Sequence, residues 1–516
     1  MDQLDQLSHK IGSTVEQSVR SALEIAARLP GSKYVGHYIA RSHQNDPART
    51  LFEILLFLFA LRYFFASQQS YSKRDHLKLS DAEIDELIEE WQPEPLVKPL
   101  TEDEDILLQE IPVLTGEGLV NVSTDQSGAQ KLLNLSSPDV YDVAQDPEIK
   151  DLAVAKIKNC GVGSCGPAGF YGNEDVHIEC EDKIAEFLGT EAALLYSQAV
   201  STAPSVIPCF AKRGDILIVD DAVNLAIQQG ILLSRAKVIY YEHNDMESLE
   251  NQLKMAVALQ GHRKRLPRRL IITEGLFETT GNSPDLARIV ALKEKYKFRL
   301  LLDESWSLGV LGKSGRGLVE EQQVDRSKID VTIASLAGAI GTYGGFCAGS
   351  AAIVEHQRIV SLAYTFSATE PPYLAACTSL MMDRLREGQM DERIAQLKEK
   401  ATIFSGELVK SKDIDLISRT DSPMIIFRIN DGQSATFEDD RDASRLLHSV
   451  VMASRERGLL VSRMAQIPQY EKFGPVNAIR VYLPESLKPS EVRRAADTLV
   501  HSVRQAVQSH KQRTLD

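Results

Sequence analysis

Asp303-Glu304-Ser305-Trp306-Ser307-Leu308-Gly309-Val310-Leu311-Gly312 follows the apolar run Leu300–Leu302. It reads as the end of a buried strand that carries an acid, followed by a turn. A bare carboxylate at the end of an apolar strand is costly unless something pairs with it. Asp303 is therefore either a site residue or, more plainly, a helix-capping or loop acid. Further on, Asp330-Val331-Thr332-Ile333-Ala334-Ser335-Leu336-Ala337-Gly338 leads into the glycine-rich Gly341-Thr342-Tyr343-Gly344-Gly345-Phe346. Outward from these segments, apolar β-rich runs recur at Ala193–Tyr196, Ile216–Val219, Val238–Tyr241, Leu270–Thr273 and Val331–Ile333. Stretches of helical spacing separate them, the pattern of a mostly parallel α/β sheet. A helix-rich stretch beginning near Pro371 and Pro372 leads to a smaller α+β region, with strands expected near Ile425–Ile429 and Ile479–Leu483.

The 516 residues can hold a large core, expected as two globular domains with appendages. A net charge of -14 argues against non-specific nucleic-acid binding, which needs a basic surface. Cysteines 160, 165, 180, 209, 347 and 377 show no zinc-type spacing. Reduced thiols in a cytosolic domain are expected rather than a disulfide framework or a metal site.

Residues 1–48 are mixed and amphipathic, without the apolar core of a cleavable signal. The strongest apolar run is Leu51–Ala66, with Glu53 and Arg62 near its ends. It falls short of the roughly 20 residues of a spanning helix, yet a membrane helix over 49–67 is the expectation. The alternatives are a helix lying in the interface and a buried core helix. Lys73, Arg74 and Lys78 follow, which favours a cytosolic C-terminal side; Arg41 and Arg49 on the other flank oppose it. Ser80–Trp91 reads as a capped acidic helix, and Pro93, Pro95 and Pro99 mark a linker. The expected division is then 1–48, 49–67, a linker and arm over 68–144, a large domain over 145–385 and a small domain over 386–516.

Gly161-Val162-Gly163-Ser164-Cys165-Gly166-Pro167-Ala168-Gly169-Phe170-Tyr171-Gly172 is dense in glycine. It lacks the GK[ST] ending of a phosphate loop. Glycines that allow close backbone approach at a subunit boundary fit it better. His177 is expected to be structural, and Cys165 an inert packed thiol.

With Gly309, Gly312, Gly315, Arg316 and Gly317 in matching spacing, the Asp303 segment resembles the cofactor cradle of fold-type I pyridoxal phosphate (PLP) enzymes, specifically the alpha-oxoamine synthases. The resemblance implies an acid at Asp303 that pairs with the pyridine nitrogen. It places the Schiff-base lysine eight residues after Asp330 and six before the Gly344-Gly345 pair, and both counts land on Gly338. Asn224, closing Asp220-Asp221-Ala222-Val223-Asn224, stands where the family has a ring-stacking histidine. Trp306 stands where catalytic members have another histidine. Three departures at separate loops read as a pocket released from holding PLP.

Tyr364-Thr365-Phe366-Ser367-Ala368-Thr369-Glu370-Pro371-Pro372 resembles the family segment that reaches across the dimer to the neighbour's cofactor phosphate. Ser367 is the implied contact; the plainer alternative is an N-cap for the helix after Pro372. Arg480 matches a family arginine that binds substrate carboxylate, with a structural ion pair as the alternative.

Glu89-Glu90-Trp91-Gln92-Pro93-Glu94-Pro95-Leu96-Val97, the Cys165 loop, Lys212-Arg213-Gly214-Asp215 and the lysine-free Gly338 region are similar to the subunit 1 family of eukaryotic serine palmitoyltransferase. Ala168 resembles the fungal members. The likeness runs from about residue 50 to near the C-terminus and leaves residues 1–48 uncovered. It implies an obligate heterodimer with a lysine-bearing catalytic subunit 2 that binds PLP covalently. It also implies a place at the endoplasmic reticulum membrane with the catalytic domain facing the cytosol, and allows for small regulatory subunits. The implied reaction joins L-serine to palmitoyl-CoA, giving 3-ketosphinganine. Two rivals are a homo-oligomeric enzyme with non-covalent PLP and a regulatory scaffold that contributes nothing to a catalytic site.

Overall fold

A computed structural model describes residues 46–72, 79–97, 99–100, 114–115, 121–124, 131–258, 266–430, 440–464, 471–474 and 477–515, with a few isolated positions before 46. Two compact units emerge, residues 1–99 and residues 100–516. Most of the 1–48 segment, and Lys73, Arg74 and Lys78, lie outside the described residues.

In the first unit, α1 (Pro47–Ser72) is a helix of 26 residues. Among the described residues, however, no helix is long and apolar enough to cross a membrane, so the expected spanning helix is not found. The reason is length. The apolar run covers 16 of those residues, about 24 Å of helix against a hydrocarbon core of about 30 Å. After the run, α1 ends on Ser67-Gln68-Gln69-Ser70-Tyr71-Ser72, which is mainly polar. What α1 does present is exposed apolar side chains at consecutive positions, including Leu55, Leu56, Phe57, Leu58 and Phe59. The second helix, α2 (Asp81–Glu90), opens on the expected capping box. The Ser80 hydroxyl accepts from the Glu83 N–H, and the Glu83 carboxylate accepts from the Ser80 N–H at 2.7 Å.

The second unit is built on a seven-stranded sheet. Its strands are β1 (Ala192–Tyr196), β2 (Ile216–Asp220), β3 (Lys237–Tyr241), β4 (Arg269–Glu274), β5 (Arg299–Asp303), β6 (Val331–Ser335) and β7 (Gly345–Gly349). The order is β1-β7-β6-β5-β4-β2-β3. Six strands run in the same direction, while β7 runs antiparallel to both of its neighbours. The sequence pattern located the parallel strands. It missed β7, because Gly345-Phe346-Cys347-Ala348-Gly349 has glycine at both ends, which weakens a strand signal.

Alternation along each strand divides the core. Leu217 and Val219 pack on one face with Val206, Ile207 and Ile227, from α4 (Ala199–Phe210) and α5 (Leu225–Ser234). Ile216 and Ile218 point to the other face, with Ile184 and Phe187 of α3 (Asp175–Leu188). Each buried Leu, Ile or Phe side chain contributes about 1.5–3 kcal/mol relative to exposure. A short helix α6 (Leu362–Phe366) and the long α7 (Pro372–Arg386) follow the sheet.

The smaller region has a four-stranded antiparallel sheet in the order β8 (Ile414–Leu416), β9 (Met424–Ile429), β11 (Ile479–Tyr482), β10 (Ser462–Arg463). Ile425, Phe427, Ile479 and Val481 close it against α8 (Asp391–Leu408), α9 (Asp440–Glu456) and α10 (Pro489–Leu515).

Candidate functional site

In an open α/β sheet, ligands bind beyond the carboxyl ends of the parallel strands. Here those ends converge on one cavity of about 320 Å3. Asn224 reaches it from the loop after β2, Asp303, Ser305 and Trp306 from β5, and Ser335 and Gly338 from β6. The floor is apolar, with Ala203, Leu225 and Ile333. Three of the sequence-singled residues, Asn224, Trp306 and Gly338, are thus brought together around Asp303.

Asp303 is buried, and its partners are neutral. Oδ1 accepts from the Ser305 N–H at 2.8 Å, and Oδ2 accepts from the Asn224 Nδ2 amide at 3.3 Å. Burial lifts its carboxyl to about 6, against those stabilising hydrogen bonds. Asn224 also caps α5, its Oδ1 accepting from the Ile227 N–H at 3.0 Å. Its own N–H donates to Glu274 at 2.6 Å. Glu274 ends β4 beside Asp303 in register, is fully buried, and is held well above the usual carboxylate range by burial and then by the Asp303 charge. Glu274 escaped sequence reasoning; the available signal was a second apolar strand ending in an acid, Leu270-Ile271-Ile272-Thr273-Glu274.

Trp306 stacks on Tyr482, with centroids 5.5 Å apart and planes 15° from parallel. Arg480 lies over the same tyrosine at 5.4 Å and meets Glu278 at 3.4 Å. That geometry gives Arg480 an ion pair within the chain.

These residues do not fit a covalently held PLP. Gly338 is buried against the cavity and has no amine. No lysine, arginine or histidine lines the cavity among the described residues. The Asn224 amide donates to Asp303 Oδ2 from the position where the resemblance implies a stacking histidine. Space is not the obstacle, since a Cβ built at Gly338 meets only the Ser305 carbonyl, at 3.4 Å.

Ser367 lies outside that lining. It is half-buried, with its hydroxyl 3.2 Å from the Ser197 hydroxyl. It does not cap the helix after Pro372: α7 begins behind Pro371 with no side-chain cap, and Ser367 instead closes α6. Cys165 is exposed, not packed, and stands at φ 57°. A non-glycine residue in the αL region is uncommon, and sequence spacing does not reveal it. The close backbone approach is present nearby. A Cβ at Gly172 would lie 2.6 Å from the carbonyl carbons of both Gly166 and Pro167. Thr369 N–H donates to the Gly166 carbonyl at 2.9 Å, tying the Cys165 loop to the Ser367 segment. His177 is buried between the Glu174 N–H and the Glu370 carbonyl, at 2.9 Å from each.

The Glu370 side chain is also buried, and neither carboxyl oxygen has a partner among the described residues. Burial pushes it up to about 8 from an ordinary 4.5. A carboxyl raised by folding contributes stability that is complete below its unfolded value and is lost as pH rises through the folded one. Wild type should therefore lose stability between about pH 4.5 and 8 relative to Glu370→Gln. Denaturant midpoints of the two proteins across that window check it; parallel curves would refute the neutral acid.

The sequence profile of the family "Aminotransferase class I and II" matches residues 130–499. Long chain base biosynthesis protein 1b of Oryza sativa subsp. japonica is 40% identical over 382 residues, covering 74% of this chain and 77% of that protein. Long chain base biosynthesis protein 1 of Arabidopsis thaliana is 37% identical over 427 residues, 82% of this chain and 85% of its own. Serine palmitoyltransferase 1 of Saccharomyces cerevisiae is 41% identical over 369 residues, 69% of this chain and 66% of its own. Among solved structures, a serine palmitoyltransferase variant from S. paucimobilis with a bound PLP–myriocin aldimine shares the fold. Its TM-score is 0.68 at 21% identity, over 78% of this chain and 96% of that one. The chain belongs to the class I and II aminotransferase family, and within it to the long chain base biosynthesis protein 1 (serine palmitoyltransferase 1) proteins.

Proposed function

We propose that this chain is the subunit of a heterodimeric serine palmitoyltransferase that lacks the Schiff-base lysine. In this account it works with a catalytic subunit 2 that binds PLP covalently, and the pair condenses L-serine with palmitoyl-CoA to 3-ketosphinganine. One observation carries the division of labour. The cavity keeps its acid, Asp303, while Gly338, Asn224 and Trp306 line it with no amine and no imidazole. Proton transfer and imine formation then fall to the partner. This chain's own contribution is the Ser367 hydroxyl, offered to the phosphate in the partner's site. Its Cys165–Gly172 loop shapes the same boundary. Family membership with serine palmitoyltransferase 1 supports the substrates. A scaffold that contributes no group to a site is the second possibility, favoured by the exposed α1 and distinguished by point changes at Ser367 in an intact complex.

The test is co-purification from the native membrane with mass spectrometry, followed by acyltransferase assay. A lysine-bearing homologue should accompany the chain, and neither protein alone should be active. Activity from the purified chain alone would sink the proposal.

The endoplasmic reticulum membrane, with the catalytic unit facing the cytosol, is the proposed location. The exposed apolar surface of α1 supports membrane association without spanning. Deleting residues 1–72 should reduce membrane pelleting of the chain expressed without its partner, since roughly 25 cal/mol per Å2 of buried apolar area is lost. Equal pelleting of truncated and intact chains would place the anchor elsewhere.

A further inference from the structure

We propose that the Asp303 cavity is a non-covalent binding site for a small organic cation, a protonated amine, distinct from any covalent cofactor. The proposal stands on this chain alone and does not depend on the partner assigned above. Its first support is the cavity itself. About 320 Å3 is room for a ligand of one ring, and the walls are mainly apolar, as small-molecule sites are.

The second support is charge. Asp303 and Glu278 line the cavity, and no cationic side chain does among the described residues. Glu278 has Arg480 at 3.4 Å. Among the described residues, Asp303 has only neutral hydrogen-bond partners, the Asn224 amide and the Ser305 N–H and hydroxyl. A buried carboxylate with neutral partners is unfavourable, and a bound cation relieves it where an anion would add to it. With its carboxyl at about 6, Asp303 is ionised near neutral pH.

The third support is Trp306. Indole is the strongest aromatic partner for a cation, and Trp306 is held by its stack on Tyr482 while lining the cavity. Carboxylate and indole on one small apolar cavity select a planar or benzylic cation and reject anions.

Trp306 also supplies the measurement. The chain has two tryptophans, so a Trp91→Phe background leaves Trp306 as the sole reporter. The purified full chain is titrated near neutral pH with benzylammonium, benzyl alcohol and benzoate, which share a ring and differ in charge. Benzylammonium should change Trp306 emission saturably, with an apparent Kd at least tenfold below that of benzyl alcohol. Benzoate should give no saturable response. Asp303→Asn should bring the cation and the alcohol within about twofold of each other. Where Asp303→Asn fails to fold, Glu278→Gln at the partly exposed rim is the second variant and should at least halve the preference. Equal affinity for the cation and the alcohol in the wild-type chain overturns the proposal. So does a tenfold preference that survives in the folded Asp303 variant or, failing that, is unchanged in Glu278→Gln.

Discussion

Replacing Ser367 with alanine is expected to weaken PLP retention by the assembled enzyme about ten- to a hundredfold. A hydroxyl that donates to a desolvated phosphate makes a charge-assisted bond, worth roughly 1.5–3 kcal/mol. The effect is large because the partners that compete for the Ser367 hydroxyl are long and neutral. Among the described residues its hydroxyl has only the Ser197 hydroxyl at 3.2 Å and the Ala368 carbonyl at 3.5 Å, and it caps no helix that follows. Assembly should survive, since one hydroxyl is small against an obligate interface. The check is PLP titration of the apo-complex, wild type against Ser367→Ala, read by cofactor absorbance. Unchanged affinity with unchanged activity would move Ser367 out of the site and favour the scaffold.

Gly172→Ala should cost about 3 kcal/mol or more of stability, at the upper end of what single changes do. The added methyl would meet backbone, at 2.6 Å from the carbonyl carbons of Gly166 and Pro167, and backbone cannot swing aside. The same Gly166 carbonyl accepts from the Thr369 N–H, so the damage should spread to the Ser367 segment. Gly163→Ala in the same loop is the control. Nothing lies within 4 Å of a Cβ there, and its effect should stay within about 0.5 kcal/mol. Denaturant unfolding of both variants decides it. Similar midpoints would mean that the loop is not tightly closed.

The strands of the large sheet were legible because each is an apolar run bounded by turn chemistry. Ile216–Asp220 and Arg299–Asp303 are buried on both faces. The strand Gly345–Gly349 was not legible, since its glycines mimic a loop. Gly338, Asn224 and Trp306 were singled out by spacing, and folding brings them to one cavity. Glu274 and Glu370 were not found. Each becomes chemically unusual only through neighbours distant in sequence: Glu274 through Asn224 and Asp303, Glu370 through burial beside Gly344. Cys165 was misplaced for a related reason. It stands exposed at φ 57°, and a single sequence carries little trace of an αL cysteine. The spanning helix was over-read from sixteen apolar residues that stop short of a bilayer's width.

The central claim is that the reactive cofactor bond is made on the partner and never on this chain. Borohydride reduction of the PLP-loaded complex, followed by peptide mapping of both subunits, tests it most directly. A single PLP–lysine adduct should map to the partner, with none on this chain, and Gly338→Lys alone should leave the activity of this chain at zero because Asn224 and Trp306 remain. A stoichiometric adduct on any lysine of the wild-type chain would contradict the account.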